Sequence, residues 1–205
     1  MKKFELTNEF ITNMFGTKLF RIRALVEFGD VEAGELGGYV EKESNLGHDD
    51  NAWVYDNARV YGNARVYGDA QVSGDARVYD NAWVYGDAQV SGDARVYGNA
   101  RVYGNAWVYG NAWVYGNALV CSDEDYAYAH GFGSVNRTTT FFRLKDGGVG
   151  VRCGCFYGTL AQFRDKIRET HGETKKAQEY LMLADLMELR FEEDENEVGN
   201  RKYVE

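Results

Sequence analysis

The chain has 205 residues, a formal net charge of −9, three cysteines and no proline. That length allows one or two domains, three cysteines do not make a disulfide framework, and no apolar run approaches a membrane span or a signal peptide. Basic residues number six against nine acidic ones over 1–49, five against seven over 50–121 and twelve against sixteen over 122–205. No segment is basic enough for sequence-independent DNA binding, which draws on Lys and Arg clustered against phosphates, and a soluble cytoplasmic protein is expected.

The chain opens with FELTNEF (4–10) and KLFRIRAL (18–25). In the second, Phe20, Ile22 and Ala24 alternate with Arg21 and Arg23, which predicts a strand. The two segments are expected to pair, so residues 1–33 read as an N-terminal β-hairpin cap. In GELGGYVEKESNLG (34–47), Val40 and Leu46 stand six apart, and Ser44 offers a small inward residue. These are two degenerate six-residue units, and the eight residues from Leu46 to Val54 imply a two-residue bulge at Asp49 and Asp50.

From Asp50 to Cys121 run twelve six-residue units of the form [G/D]-[N/D]-A-x-V-[Y/S/C]. Such self-similarity decides the architecture. Val, Tyr and Trp favour pleated surfaces, and Gly or Asp opens every unit, so a helix is not supported. Within a unit Ala and Val are two apart, so an extended segment points both inward, with x and Tyr outward. The Gly-Asn, Gly-Asp or Asp-Asn pairs are turn chemistry. A short strand and a turn every six residues make a parallel β-helix, mainly β in class.

The pattern resembles the hexapeptide repeat of left-handed β-helices, in which three hexapeptides complete one triangular coil. GDAQVSGDARVYDNAWVY (68–85) followed by GDAQVSGDARVYGNARVY (86–103) is then one turn written twice. Residues eighteen apart stack on one face, at the strand spacing of about 4.8 Å.

The first face presents Trp53, Gln71, Gln89 and Trp107 beside Tyr55, Ser73, Ser91 and Tyr109. The second presents Arg59, Arg77, Arg95 and Trp113 beside Tyr61, Tyr79, Tyr97 and Tyr115. The third presents Arg65, Trp83, Arg101 and Leu119 beside Tyr67, Tyr85, Tyr103 and Cys121, with a turn column of Asn63, Asn81, Asn99 and Asn117. Aromatic ladders stabilise stacked strands, and Trp83 between two arginines is a cation–π sandwich. On the second face, Arg59, Arg77 and Arg95 beside Tyr61, Tyr79 and Tyr97 are the candidate ligand-binding residues. Stacked guanidiniums call for an anion, and a nucleotide adds base stacking on Tyr. Asp75 and Asp93 are the internal candidates to neutralise Arg77 and Arg95. Asn57 stands at the matching turn before Arg59, which makes Arg59 the least neutralised.

Residues 122–205 read as a C-terminal α+β domain. TTTFFRLK (138–145) and VGVRCGCF (149–156) predict a β-hairpin. A helix over 158–172 opens on a capping box, Thr159 with Gln162, and closes at Gly172. The next helix, 174–191, is apolar almost all round through Met182, Leu183, Leu186 and Leu189, so a core or another subunit should cover it. A charged tail follows Glu192.

Catalytic signals are sparse. Proteins with this repeat are known as acyltransferases that use a histidine, and as zinc-dependent carbonic anhydrases with three histidine ligands. The histidines here are His48, His130 and His171, and none lies in the regular units. Cys153 and Cys155 flank one Gly on a strand and so face the same way, which makes a metal site with His171 the alternative; the spacing is not the usual zinc one, and two small residues on a buried strand face is the preferred reading. No catalytic residue, metal site or cofactor is expected.

The order FRIRALVEFGDVEAGELGGYVEKESNLG, then NAWVYDNARVYGNARVYG, then CGCFYGTLAQFRDKIRETHG with EYL resembles uncharacterised hexapeptide-repeat proteins of phage and prophage genomes. That resemblance implies a phage accessory protein in the host cytoplasm. The expected function is non-catalytic binding that counters host defence, by sequestering a nucleotide-type signal or blocking a host protein. An acyltransferase-like enzyme and a structural spacer of the virion are the alternatives. The surplus of outward aromatics predicts a homo-oligomer, with a trimer favoured.

Overall fold

The computed structural model describes residues 2–132 and 137–192; the charged tail expected beyond Glu192 lies outside the described residues. Twelve two-residue strands, from Trp53–Val54 to Leu119–Val120, recur every six residues. The first nine each pair in parallel with the strand eighteen residues on, as Arg59↔Arg77↔Arg95 and Val60↔Val78↔Val96 show. The ladder is built from N–H groups that donate to the next coil, Arg77 N to Ala94 O at 2.9 Å and Tyr79 N to Val96 O at 3.0 Å. Five parallel strands stack on the second face, beginning with Leu36–Val40. The result is a β-solenoid of about five turns. Every repeat Ala and Val is buried, so the interior is the narrow apolar column that the two-apart spacing predicts.

The corners explain the alternation of Gly and Asp at the head of each unit. Gly86 sits at φ +68°, and a Cβ there would stand 3.1 Å from the Gly104 nitrogen. Where Asp replaces Gly the carboxylate turns to the next coil. Asp56 (φ 52°) accepts the Gly74 N–H at 3.0 Å and Asp80 (φ 60°) that of Gly98 at 3.4 Å. At the corner between the second and third faces, each Asn amide donates to the Asn below it, Asn63 to Asn81 at 3.2 Å and Asn81 to Asn99 at 3.3 Å.

At the N-terminal end, Phe4–Thr12 and Lys18–Ala24 form the expected hairpin. Leu36–Val40 pairs antiparallel with that hairpin and parallel with Arg59–Val60, welding cap and solenoid into one seven-stranded sheet. Lys3 closes the end of the column, donating to the carbonyls of Asp50 (2.6 Å) and Ala52 (2.8 Å). The inward position expected for Ser44 belongs instead to Asn45. Residues Glu43–Asn45 form a 3-10 turn, Ser44 is exposed, and the buried Asn45 amide donates to the carbonyls of Gly62 and Ala64.

Beyond the solenoid, four antiparallel strands (Tyr126–Phe132, Arg137–Arg143, Val149–Cys153, Phe156–Thr159) carry two helices, α1 (Leu160–His171) and α2 (Lys175–Phe191). The capping box of Thr159 and Gln162 and the closing Gly172 are present. The hairpin legible in the sequence thus forms the middle of a larger sheet. Leu160, Phe163 and Ile167 of α1 pack with Ala177, Tyr180, Ala184 and Met187 of α2. Among the described residues nothing covers the opposite side of α2: Met182, Leu186 and Leu189 are 71%, 54% and 68% exposed. A buried ion pair, Arg143 Nε to Asp125 Oδ1 at 3.2 Å, joins the last coil to this sheet.

Candidate ligand-binding faces

On the second face the predicted residues come together as a lattice. Tyr39, Arg59, Arg77, Arg95 and Trp113 are register partners from rung to rung. Val at the intervening position points inward, so Arg and Tyr of each rung both project outward. The rings of Tyr61 and Tyr79 stack at 5.0 Å, those of Tyr79 and Tyr97 at 4.8 Å, and Tyr97 meets Tyr115 at 4.4 Å. Burial in this stack holds the phenols of Tyr61, Tyr79 and Tyr97 above their ordinary value, so they remain neutral donors.

Both ends of the row receive a further guanidinium that the sequence reading missed. Arg21 lies 5.1 Å over the Tyr39 ring and donates to its hydroxyl at 2.9 Å. Arg95 lies 4.6 Å over Trp113, and Arg152 of the C-terminal sheet lies 5.5 Å over Trp113 and 5.5 Å over Tyr115. Only the alternation of Arg21 with Phe20 and Ile22 hinted at this; Arg152 carried no signal.

The neutralisation expected from Asp75 and Asp93 does not form. Among the described residues no carboxylate stands within 4.0 Å of Arg59, Arg77 or Arg95. Arg59 is therefore not set apart from the other two by its Asn57 turn. Like charges at strand spacing repel by about 1 kcal/mol per neighbouring pair even in a water-like dielectric. An anion laid along the row removes that cost and accepts charge-assisted hydrogen bonds.

The other faces differ. On the third, Arg65 and Arg101 lie 5.7 and 5.2 Å over Trp83, the expected sandwich, while Tyr67, Tyr85 and Tyr103 stack at 5.0 and 5.1 Å. Its two arginines share one ring, whereas on the second face Arg95 lies over Trp113 and, among the described residues, Arg59 and Arg77 lie over no ring. On the first face Trp53 is not outward-facing and free: it is fully buried, with Phe4 and Phe28 edge-on at 6.2 and 5.3 Å.

The histidines and cysteines offer no assembled centre. His48 stacks on Phe4 at 4.4 Å, accepts the Lys3 N–H at Nδ1 and contacts Glu43 through Nε2 at 2.9 Å, so both ring nitrogens are engaged. Cys153 ends its strand, whereas Cys155 sits exposed in the hairpin turn rather than on a shared strand face. Together with Arg137, Lys166, His171 and Tyr180 they line a cavity of about 270 Å³. Among the described residues no group of three His, Cys, Asp or Glu is placed to hold a metal.

Residues 52–68, 58–71, 70–86, 88–102, 94–110 and 100–116 match the family described as the YdcK Beta solenoid repeat. The similarity is confined to the regular coils and supports a repeat β-helix family. No curated protein matches the chain.

Proposed function

We propose that the protein is a non-catalytic binding protein that takes an anionic, nucleotide-type ligand on its second face. The observation that carries this reading is the register of Arg59, Arg77 and Arg95, with no carboxylate partner among the described residues, beside the stacked rings of Tyr61, Tyr79 and Tyr97. Phosphates meet the guanidiniums and a base meets a phenol face. The three-part order of the sequence, with its likeness to phage and prophage proteins, supports placing this activity in the host cytoplasm, where sequestering a nucleotide signal counters host defence. Self-association belongs to the same proposal, a homotrimer being favoured, with the exposed side of α2 supporting a role in assembly.

The test compares Arg59→Ala, Arg77→Ala and Arg95→Ala with Gln71→Ala on the first face. A panel of AMP, ATP and cyclic dinucleotides is titrated by calorimetry at two salt concentrations. Each arginine variant should weaken binding about tenfold, Gln71→Ala should not, and added salt should weaken the wild type. Equal affinity in all four variants would sink the site and leave the ladder purely structural.

A further inference from the structure

The chain has four tryptophans, and the structure accounts for three of them. Trp53 is sealed under the cap, Trp83 is held between Arg65 and Arg101, and Trp113 lies under Arg95 and Arg152. Trp107 is the exception: 48% exposed, on the first face, with no guanidinium over it among the described residues. It is nevertheless held in place. Its indole N–H donates to Ser91 Oγ at 3.1 Å, and its ring meets Tyr109 at 5.3 Å; Tyr109 in turn abuts Tyr128 at 5.9 Å. An oriented, half-exposed indole is a stacking platform whose ordering cost is already met before any ligand arrives.

The surroundings of the platform select the ligand. Gln89 and Gln71 follow Trp107 down the same column in register, with Ser91 and Ser73 alongside. Their amides and hydroxyls both donate and accept. No residue of the two outward columns is basic, and the exposed carboxylates of Asp87 and Asp93 bracket the Gln89–Ser91 rung. Phosphate or carboxylate ligands would meet like charge here. A neutral ring with an apolar face and a rim of hydroxyls meets an indole, amides and carboxylate acceptors. We infer that the first face binds neutral glycans, a sugar ring stacking on Trp107 and the adjoining units running along Gln89 and Gln71. This surface is separate from the arginine row, so the two ligands are independent.

The probes are the neutral hexasaccharides of α-linked glucose, β-linked glucose and N-acetylglucosamine, with AMP as the competing class. Binding is read by NMR from the indole N–H resonance that disappears in Trp107→Phe, and by calorimetry. At least one hexasaccharide should shift that resonance saturably at millimolar concentration. Trp107→Ala should weaken it about tenfold and Gln89→Ala severalfold, while Arg59→Ala leaves it unchanged. Trp107→Ala keeps the backbone contacts of residue 107 with Asp123 and Tyr126, so its melting curve should match the wild type. The inference is overturned if no hexasaccharide moves the resonance, if Trp107→Ala binds as tightly as wild type, or if AMP is the ligand that moves it.

Discussion

Replacing Asp125 by alanine should loosen the joint between the solenoid and the C-terminal sheet. The Asp125 side chain is 1% exposed and its partner Arg143 4%. One carboxylate oxygen accepts from Arg143 Nε at 3.2 Å; the other accepts from the backbone N–H of Cys121 at 2.9 Å and of Ser122 at 3.1 Å. Removing it takes a carboxylate away from a buried guanidinium and from two backbone N–H groups, and breaking a buried pair of this kind costs about 3–5 kcal/mol. For a chain of this size each kcal/mol lowers Tm by about 2–4 °C, so a drop on the order of 10 °C is expected. The assay is a circular-dichroism melt joined to amide hydrogen exchange. Protection should fall in Tyr126–Phe132 and Arg137–Arg143 before it falls in the coils. Asp125→Ala combined with Arg143→Met should cost less than the sum of the single changes, by about 1 kcal/mol or more. Additive single effects, or a loss below about 1 kcal/mol for Asp125→Ala, would refute the reasoning.

The corner rule predicts that Gly86→Val destabilises by about 2 kcal/mol or more, while Gly86→Asp costs clearly less, because its carboxylate can reach Gly104 as that of Asp80 reaches Gly98. Equal urea midpoints for the two would contradict it. The ladder phenols are raised above their ordinary value of 10.0 by burial. Their stabilisation is therefore complete below pH 10 and is lost as pH rises beyond it. Absorbance at 295 nm should show them ionising late and together with unfolding, and independent ionisation at pH 10 in the intact fold would count against the stack. Burial lowers Lys3 to about 8 from 10.5; between those values the unfolded chain binds more protons, so stability should rise with pH in wild type and not in Lys3→Met. Light scattering at micromolar concentration should give an oligomer, and a monomeric mass disposes of the assembly proposal.

The solenoid was legible because its physics is local and repeated. Ala and Val two apart, with a turn residue after them, force the same inward column at every rung. Eighteen-residue stacking then places Arg59 over Arg77 and Arg77 over Arg95 without further information. What was not legible depends on segments with no fixed offset from the repeat. Arg21 reaches the arginine row through an antiparallel pairing with Leu36–Val40, and Arg152 reaches it from the second strand of the C-terminal hairpin. Trp53 looks outward by its place in the unit, yet Phe4 and Phe28 cover it. Ser44 gives way to Asn45 because a 3-10 turn shifts the inward position by one residue, and an amide can satisfy the carbonyls of Gly62 and Ala64 where a hydroxyl at the neighbouring position cannot. Cys155 leaves its strand because Gly154, at φ +59°, makes the hairpin turn there.

The central claim is that an anion lies along the arginines of the second face. The most direct measurement follows the guanidinium Nε–H resonances of ¹⁵N-labelled protein during titration with the nucleotide panel. The account predicts that the signals of Arg59, Arg77 and Arg95 move together and saturate, while those of Arg65 and Arg101, on the third face, stay in place. Shifts spread equally over all five, or none at any nucleotide concentration, would contradict it.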